Sequence, residues 1–385
     1  MTITTPLRLG AIALAAAFAL GACSSNGASP TPTTATTTAP TTATTAPSTG
    51  ATVPAPPSAS LTLQGAGATF PTPLYNVWFE TYTGKYANIQ FNYQSIGSGG
   101  GVKAITQQTV DFGASDAPLK DAEIAGLPAG TKVLHVPTAL GAVVIIYNLQ
   151  GVDKLELDGP AAVDIFLGTI TKWNDPKIAA LNAGVSLPDV SIAVVHRSDG
   201  SGTTNAFTTY LDTVSPDWHS RVGAGKEVKW PVGQGAAGND GVAGAVKRTP
   251  GSVGYVELQY ATTAKLTSAL LKNADGNFVA GSTDGVTSAA EAIAAQFPAD
   301  ARQKPIINGA GPTTYPIASY TYLLVYLDQT DKDKGLAMVS FMAWALTDGQ
   351  ALEAGLGYAP LPSGVQKQAL ASLHTISSGG APIWP

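Results

Sequence analysis

One cysteine and four histidines are all that 385 residues provide of those two types, and only 12% of the chain is charged. Each shortage closes off a class of chemistry. A lone cysteine leaves no intramolecular disulfide, so the folded part must be held by its core alone. His135, His196, His219 and His374 show no ligand spacing such as H-E-x-x-H, so neither a metal nor a cofactor site is expected. Basic residues number 21 against 26 acidic ones and nowhere form a run, which argues against nucleic acid as a partner. An anionic ligand would have to be held by local dipoles rather than by a global field. The Gly-Lys-Ser/Thr triplet that closes a P-loop is missing too, and "GAGATF" places Phe70 where a G-x-G-x-x-G fingerprint needs its third glycine. What remains is a chain 44% hydrophobic, with room for about two ordinary domains.

The N-terminus has Arg8, an apolar stretch from Leu9 to Leu20, and then Leu-Gly-Ala-Cys ending at Cys23. The stretch is short for a membrane span and reads as a signal peptide over 1–23. Its end resembles the bacterial lipobox, which makes Cys23 the lipidated first residue of an extracytoplasmic protein anchored to the cell membrane. Several acyl chains on one residue would give stable anchoring. Residues 24–59 are almost entirely Thr, Ala, Pro and Ser; with so little apolar surface to bury they are expected to be a disordered, extended tether.

From Leu61 onward strand and helix signals alternate, which implies an α/β architecture. "NIQFNYQ" alternates Ile89, Phe91 and Tyr93 with polar residues, while "GAVVIIYNL", "SIAVVH" and "YPIASYTYLLVYLD" are apolar runs of the kind found in covered strands. Leu74, Val77, Trp78 and Tyr82 mark one helix face, and Leu336, Val339, Met342 and Leu346 another. In such sheets ligands sit at the carboxyl ends of strands, where helices begin.

Three helix starts there are rich in glycine and hydroxyl groups. "GAGATFPTPLY" offers Thr69 and the amides near Thr69 and Phe70, with Pro71 or Pro73 in the first helical turn. "IGSGGGVKAI" puts Ser98 at the expected N-cap of a helix that includes Val102 and Ile105. "HRSDGSGTTNAF" brings Ser201, Gly202 and Thr203 to the start of a third helix. Taken singly, each is an ordinary helix cap. Together, three helix N-termini bear unpaired amides and partial positive charge, so their convergence makes an anion site without net charge. The third turn is open to two further readings, a nucleophile's elbow or a mere tight turn. Ser115 and Ser201 resemble nucleophiles, but neither lies in G-x-S-x-G, since Ala117 and Asp199 occupy glycine positions.

Arg197 and Asp199 lie two apart, so they share a side if the strand continues through them. An exposed pair would contribute little; an Arg forked onto an oxyanion and held by Asp199 would contribute much more. Asp116, in "VDFGASDAPL", is either a turn residue or a carboxylate facing the anion. In the second case it accepts a hydrogen bond from a protonated oxyanion such as hydrogen phosphate and repels sulfate, which carries no proton at neutral pH.

"GAGATFPTPLY", "IGSGGGVKAI", "VDFGASDAPL", "VVHRSDGSGTTNAF" and "GNDGVAG", in this order, resemble the phosphate-binding proteins of bacterial phosphate ABC importers, the PstS family. The resemblance runs from about Leu61 to the C-terminal region. It implies a two-lobed type II periplasmic-binding-protein fold with phosphate in the cleft between lobes formed by 60–139 plus 310–385 and by 140–309, hinged near Ala139 and Gly311. It also implies phosphate ligation by Thr69, the Phe70 amide, Ser98, Asp116, Arg197, Ser201, Gly202 and Thr203, with Asp199 orienting Arg197. A glycine, Gly99, follows Ser98 where that family commonly has a serine. The implied protein is a monomeric binding protein, not an enzyme, that delivers phosphate to permease and ATPase subunits. An exported phosphatase, or a binder of another oxyanion such as sulfate or molybdate, stands as the alternative.

Overall fold

The computed structural model describes residues 53–385. The expected signal peptide, Cys23 and most of the tether lie outside the described residues. The folded chain begins inside the stretch expected to be tether. Ser340 donates to the Pro54 carbonyl at 2.5 Å, and Asn88 Nδ2 donates to the carbonyls of Pro57 and Ala59 at 2.8 and 2.9 Å. Val53 packs against the core as well. Residues 53–59 are therefore tied to the domain, because two side chains satisfy their carbonyls.

The expected alternation of strands and helices is present. Strand β1 (Leu61–Gly67) leads into helix α1 (Thr72–Lys85), strand β2 (Ile89–Ser95) into helix α2 (Gly97–Thr106), and strand β3 (Phe112–Ser115) follows. β2, β1 and β3 pair in parallel, as β-α-β connections require. A second parallel group contains Ser252–Glu257, Ala193–Arg197 and Gln234–Ala236.

Two long strands join the groups. Strand β4 (Val133–Tyr147) is buried from His135 through Tyr147, and Ile317–Tyr326 runs antiparallel to it. Residues 133–142 of β4 pair with 317–326, which also pairs with β3; residues 143–147 pair instead with Ser252–Glu257. The strand thus changes partners between Ala142 and Val143. "GAVVIIYNL" is only the second half of this strand. Pro137 and Gly141 break the pattern of the first half, since proline has no N–H to give a ladder. The structure accommodates Pro137 at a register shift: Tyr322 faces Pro137 and Thr321 faces Ala139, which leaves Thr138 as the extra residue of a bulge.

The core is continuous and aromatic. Trp78 is fully buried and donates its indole N–H to the Gly349 carbonyl at 2.9 Å. Around it, Tyr75, Phe79, Tyr82, Phe91 and Phe341 pack with centroid separations of 4.4–6.0 Å. With no disulfide among the described residues, burial on this scale, about 1.5–3 kcal/mol per large side chain, carries the stability.

Candidate functional site

The carboxyl ends of both parallel groups open onto one crevice, and the expected polar residues meet there. Thr69, Ser98, Asp116, Arg197, Ser201 and Thr203 are all at most 4% exposed. They are held where strands end and helices start, the position that backbone geometry makes suitable for anions.

Arg197 is the last residue of its strand, and its side chain is 1% exposed. Its Nε donates to Asp199 Oδ1 at 2.7 Å, Nη2 pairs with Asp199 Oδ2, and Nη1 lies 3.5 Å from Thr203 Oγ1. The strand stops before Asp199, so the pair is made by the turn and not by a shared strand face. At this burial an unpaired partner would cost roughly 3–5 kcal/mol, so Asp199 acts as a clamp and not as a surface ion. Asp199 Oδ1 also accepts from the Gly238 amide at 3.0 Å. Burial pushes the Asp199 carboxyl up, but the guanidinium and that amide outweigh it and hold the group below the usual carboxylate range.

Asp116 is buried as well, with different neighbours. Thr321 Oγ1 donates to its Oδ1 at 2.8 Å, and Ser98 Oγ to its Oδ2 at 3.2 Å. Burial dominates here. The hydrogen bonds and the more distant Arg197 only partly offset it, and the carboxyl is pushed up to about 7.

Ser98 corrects one expectation. Helix α2 starts at Gly97, its N-cap is Ile96, and no side chain caps it. Ser98 sits in the first turn, where its amide has no intrahelical acceptor. Its hydroxyl bridges the crevice instead: it gives its proton to Asp116 and accepts from the amides of Asp116 at 3.2 Å and Gly202 at 3.0 Å. At the helix start Gly97 takes φ +82 and approaches Asp199 closely; a Cβ there would lie 2.2 Å from Asp199 Oδ2. Gly202 is equally constrained, since its Cβ would lie 2.5–2.7 Å from Asp116 and Ser98. Gly99, at the position where the resemblance favours serine, donates its amide to the Gly200 carbonyl at 2.7 Å, and its Cβ would lie 2.9 Å from Gly200 Cα. Serine would not fit that contact without a shift.

Ser201 caps the helix Gly202–Val214 by accepting from Thr204 N at 3.0 Å. Ser115 hydrogen-bonds within its own turn, giving its proton to the Ala117 carbonyl at 2.5 Å. His196 stacks on Trp230 at 4.9 Å and contacts its neighbour's carbonyl. None of the three is arranged as a nucleophile or its base.

Two residues of the site lay outside the sequence reading. Asn239, fully buried at the start of the helix Gly238–Arg248, donates Nδ2 to Thr69 Oγ1 at 2.8 Å and to Thr203 Oγ1 at 3.2 Å, and accepts from Glu257 N at 3.0 Å. It lies in "GNDGVAG", a fourth glycine-containing helix start after a strand, and that was a usable signal. Thr321 lies mid-strand, 205 positions from Asp116, and carries no local signal.

The electrostatic inventory is short: Arg197 balanced by Asp199, and Asp116 near its midpoint at neutral pH. The local charge is zero or negative before any ligand arrives. With Arg197 already balanced, the further attraction for an anion must come from amides, hydroxyls and helix N-termini.

The chain is similar to known proteins in sequence and in fold. The sequence model of the PBP superfamily domain (PBP_like_2) matches residues 32–348. A phosphate-binding protein PstS from Pasteurella multocida is 43% identical over 328 residues, covering 84% of this chain and 93% of its own. One from Xylella fastidiosa is 42% identical over 319 residues (81% and 86%), and PstS 3 of Mycobacterium leprae is 36% identical over 323 residues (82% and 87%). Among solved structures, the high affinity periplasmic phosphate-binding protein PfluDING, bound with phosphate, superposes with a TM-score of 0.66 at 22% identity, covering 81% of this chain and 94% of that one. The phosphate binding protein of Stenotrophomonas maltophilia gives 0.64 at 22% identity (81% and 93%). These two share the two-lobed α/β fold. Spanned by the superfamily domain and by relatives at 43, 42 and 36% identity over more than four-fifths of its length, the chain belongs to the PstS family of phosphate-binding proteins.

Proposed function

We propose that this chain binds inorganic phosphate in the crevice and delivers it to the permease and ATPase subunits of a phosphate ABC importer. The observation that carries this reading is the pairing of one clamped cation, Arg197, with a buried carboxyl, Asp116, whose protonation midpoint lies near neutrality. Arg197 meets one edge of the oxyanion, with Asp199 fixing its plane. The amide of Phe70, the hydroxyls of Ser201 and Thr203 and the first-turn amides around Ser98 and Gly202 supply the remaining donors, and Thr69 frames them through Asn239. Asp116 shares a proton with the ligand. When ionised it accepts the P–OH of hydrogen phosphate; sulfate has no proton to give and meets an unpaired carboxylate.

The same reading makes the protein a monomeric carrier and not an enzyme, extracytoplasmic and anchored through a lipid on Cys23, with lobes formed by 60–139 plus 310–385 and by 140–309. Among the described residues no helix is long and apolar enough to cross a membrane. The lobe division is supported by β4, which changes partners between Ala142 and Val143, three residues beyond Ala139. Titration calorimetry of the domain from residue 53 onward, with phosphate and with sulfate at pH 8, tests the function. Tight phosphate binding with weak sulfate binding is expected. Equal affinities would overturn the role given to Asp116, and turnover of a phosphate monoester without added metal would favour a phosphatase.

A further inference from the structure

Three consecutive carbonyls of the turn after β1 each accept a hydrogen bond from a different tyrosine. Tyr93 OH donates to the Ala68 carbonyl at 2.7 Å, Tyr260 OH to that of Thr69 at 2.5 Å, and Tyr358 OH to that of Phe70 at 2.7 Å. The donors come from β2, from the helix Leu258–Ala264 and from the C-terminal part of the chain, so no local sequence rule produces the row.

The amides of the same turn behave differently. Ala68 N donates to the Ala114 carbonyl at 2.9 Å, but the amides of Thr69 and Phe70 donate to no acceptor among the described residues. Buried N–H groups are paired in more than about nine cases in ten, so two adjacent exceptions in a buried turn point to an acceptor from outside the chain. All described peptides are trans, and in a trans plane the N–H of one residue points opposite to the C=O of the residue before it. A tyrosine that fixes the Ala68 carbonyl therefore fixes the direction of the Thr69 amide. One that fixes the Thr69 carbonyl fixes the Phe70 amide.

We propose that Tyr93 and Tyr260 are positioning residues of the anion site, which aim the Thr69 and Phe70 amides at the oxyanion by holding the carbonyls behind them. The inference rests on the phosphate site proposed above. Tyrosine suits the task because its ring is stiff and its hydroxyl stays a donor. Burial pushes both phenols well above their ordinary value, so neither ionises at physiological pH. The Thr69 carbonyl also accepts from Thr72 N at 3.2 Å, and the Ala68 carbonyl from Thr72 Oγ1 at 3.3 Å. These second bonds hold the turn in place, and the tyrosines set its tilt. Tyr260 follows the strand Ser252–Glu257, on the far side of the crevice from β1, so its bond to Thr69 spans the crevice.

Tyr358 provides an internal control. It makes the same kind of bond, at fuller burial and with a second contact to Glu257 Oε2 at 3.1 Å, but the residue after Phe70 is Pro71, which has no N–H to aim. The experiment is phosphate calorimetry on Tyr93→Phe, Tyr260→Phe, Tyr358→Phe and Arg197→Ala, with thermal midpoints and the amide proton shifts of Thr69 and Phe70 on adding phosphate. Tyr93→Phe and Tyr260→Phe should each weaken phosphate about fivefold to tenfold, the size of one charge-assisted hydrogen bond misaligned. Each should also shrink the phosphate-induced shift of its own amide. Tyr358→Phe should stay within about twofold although its midpoint falls comparably. Affinity losses that follow the midpoints, with Tyr358→Phe as large as the others, would reduce the tyrosines to core packing and overturn the proposal. So would unchanged affinity in Tyr93→Phe and Tyr260→Phe while Arg197→Ala loses phosphate, and in that case the site itself would stand. Full affinity in Arg197→Ala would instead remove the site, and this inference with it.

Discussion

Asp116 and Asp199 carry the same side chain to opposite walls of one buried crevice, and their surroundings send them in opposite directions. Asp199 faces a guanidinium and the Gly238 amide and is held ionised. Asp116 faces the hydroxyls of Thr321 and Ser98 and a more distant cation, so burial prevails and its midpoint rises to about 7. A carboxylate matched to a cation is a fixed part of the frame. One matched only to hydroxyls can exchange a proton with a ligand. In the proposed site, that difference would separate orienting an anion from choosing among anions.

Removing the cation should have the largest effect. Arg197→Ala deprives Asp199 of its partner and the ligand of its charged donor, and phosphate affinity should fall a hundredfold or more, the loss typical of truncating a buried charge pair. Calorimetry checks it; a loss below about threefold would mean that the anion sits elsewhere. Asp199→Asn should cost about tenfold in phosphate affinity by turning an amide donor toward the guanidinium, yet leave the preference for phosphate over sulfate as it was. A changed preference would show that the clamp also selects.

A smaller effect concerns stability without ligand. The Asp116 carboxyl has its midpoint raised from 3.8 to about 7 by folding, so its stabilising contribution is full below about pH 4 and is lost as pH rises through 7. Asp199, with its midpoint lowered, contributes at neutral pH and loses that contribution as pH falls through its depressed value. Melting scans of ligand-free protein from pH 4 to 8 should therefore show the wild type losing a few degrees relative to Asp116→Asn as pH rises. Parallel curves would mean that Asp116 titrates normally.

One of these aspartates is more legible in the sequence than the other. Arg197 and Asp199 are two apart beside a glycine turn, and their roles follow from local spacing. Asp116 could be placed in a turn, but the hydroxyl that meets its Oδ1 belongs to Thr321, far along the chain and brought near only by the antiparallel pairing of 317–326 with β3. The same limit hid Tyr93, Tyr260 and Tyr358, whose hydroxyls converge on three carbonyls from distant parts of the chain. Strand ends and helix starts were legible because glycine, serine and proline act on their own neighbours. The full length of β4 was not, since Pro137 and Gly141 look like breaks until a bulge absorbs them. Asn239 was within reach: its motif was recognised, but a buried amide side chain bridging two threonines needs the third dimension to be seen.

The proton sharing proposed for Asp116 is tested by a competition between two anions. The ratio of phosphate to sulfate affinity should be measured by calorimetry from pH 8.5 down to 5.5, on the wild type and on Asp116→Asn. Phosphate keeps a proton throughout that range and sulfate has none, but below its midpoint Asp116 can donate a proton of its own to sulfate. The ratio in the wild type should therefore be large at pH 8.5 and shrink toward pH 5.5, while in Asp116→Asn it should be small and nearly independent of pH. A wild-type ratio that stays constant across the range, or one that Asp116→Asn reproduces, would contradict the account.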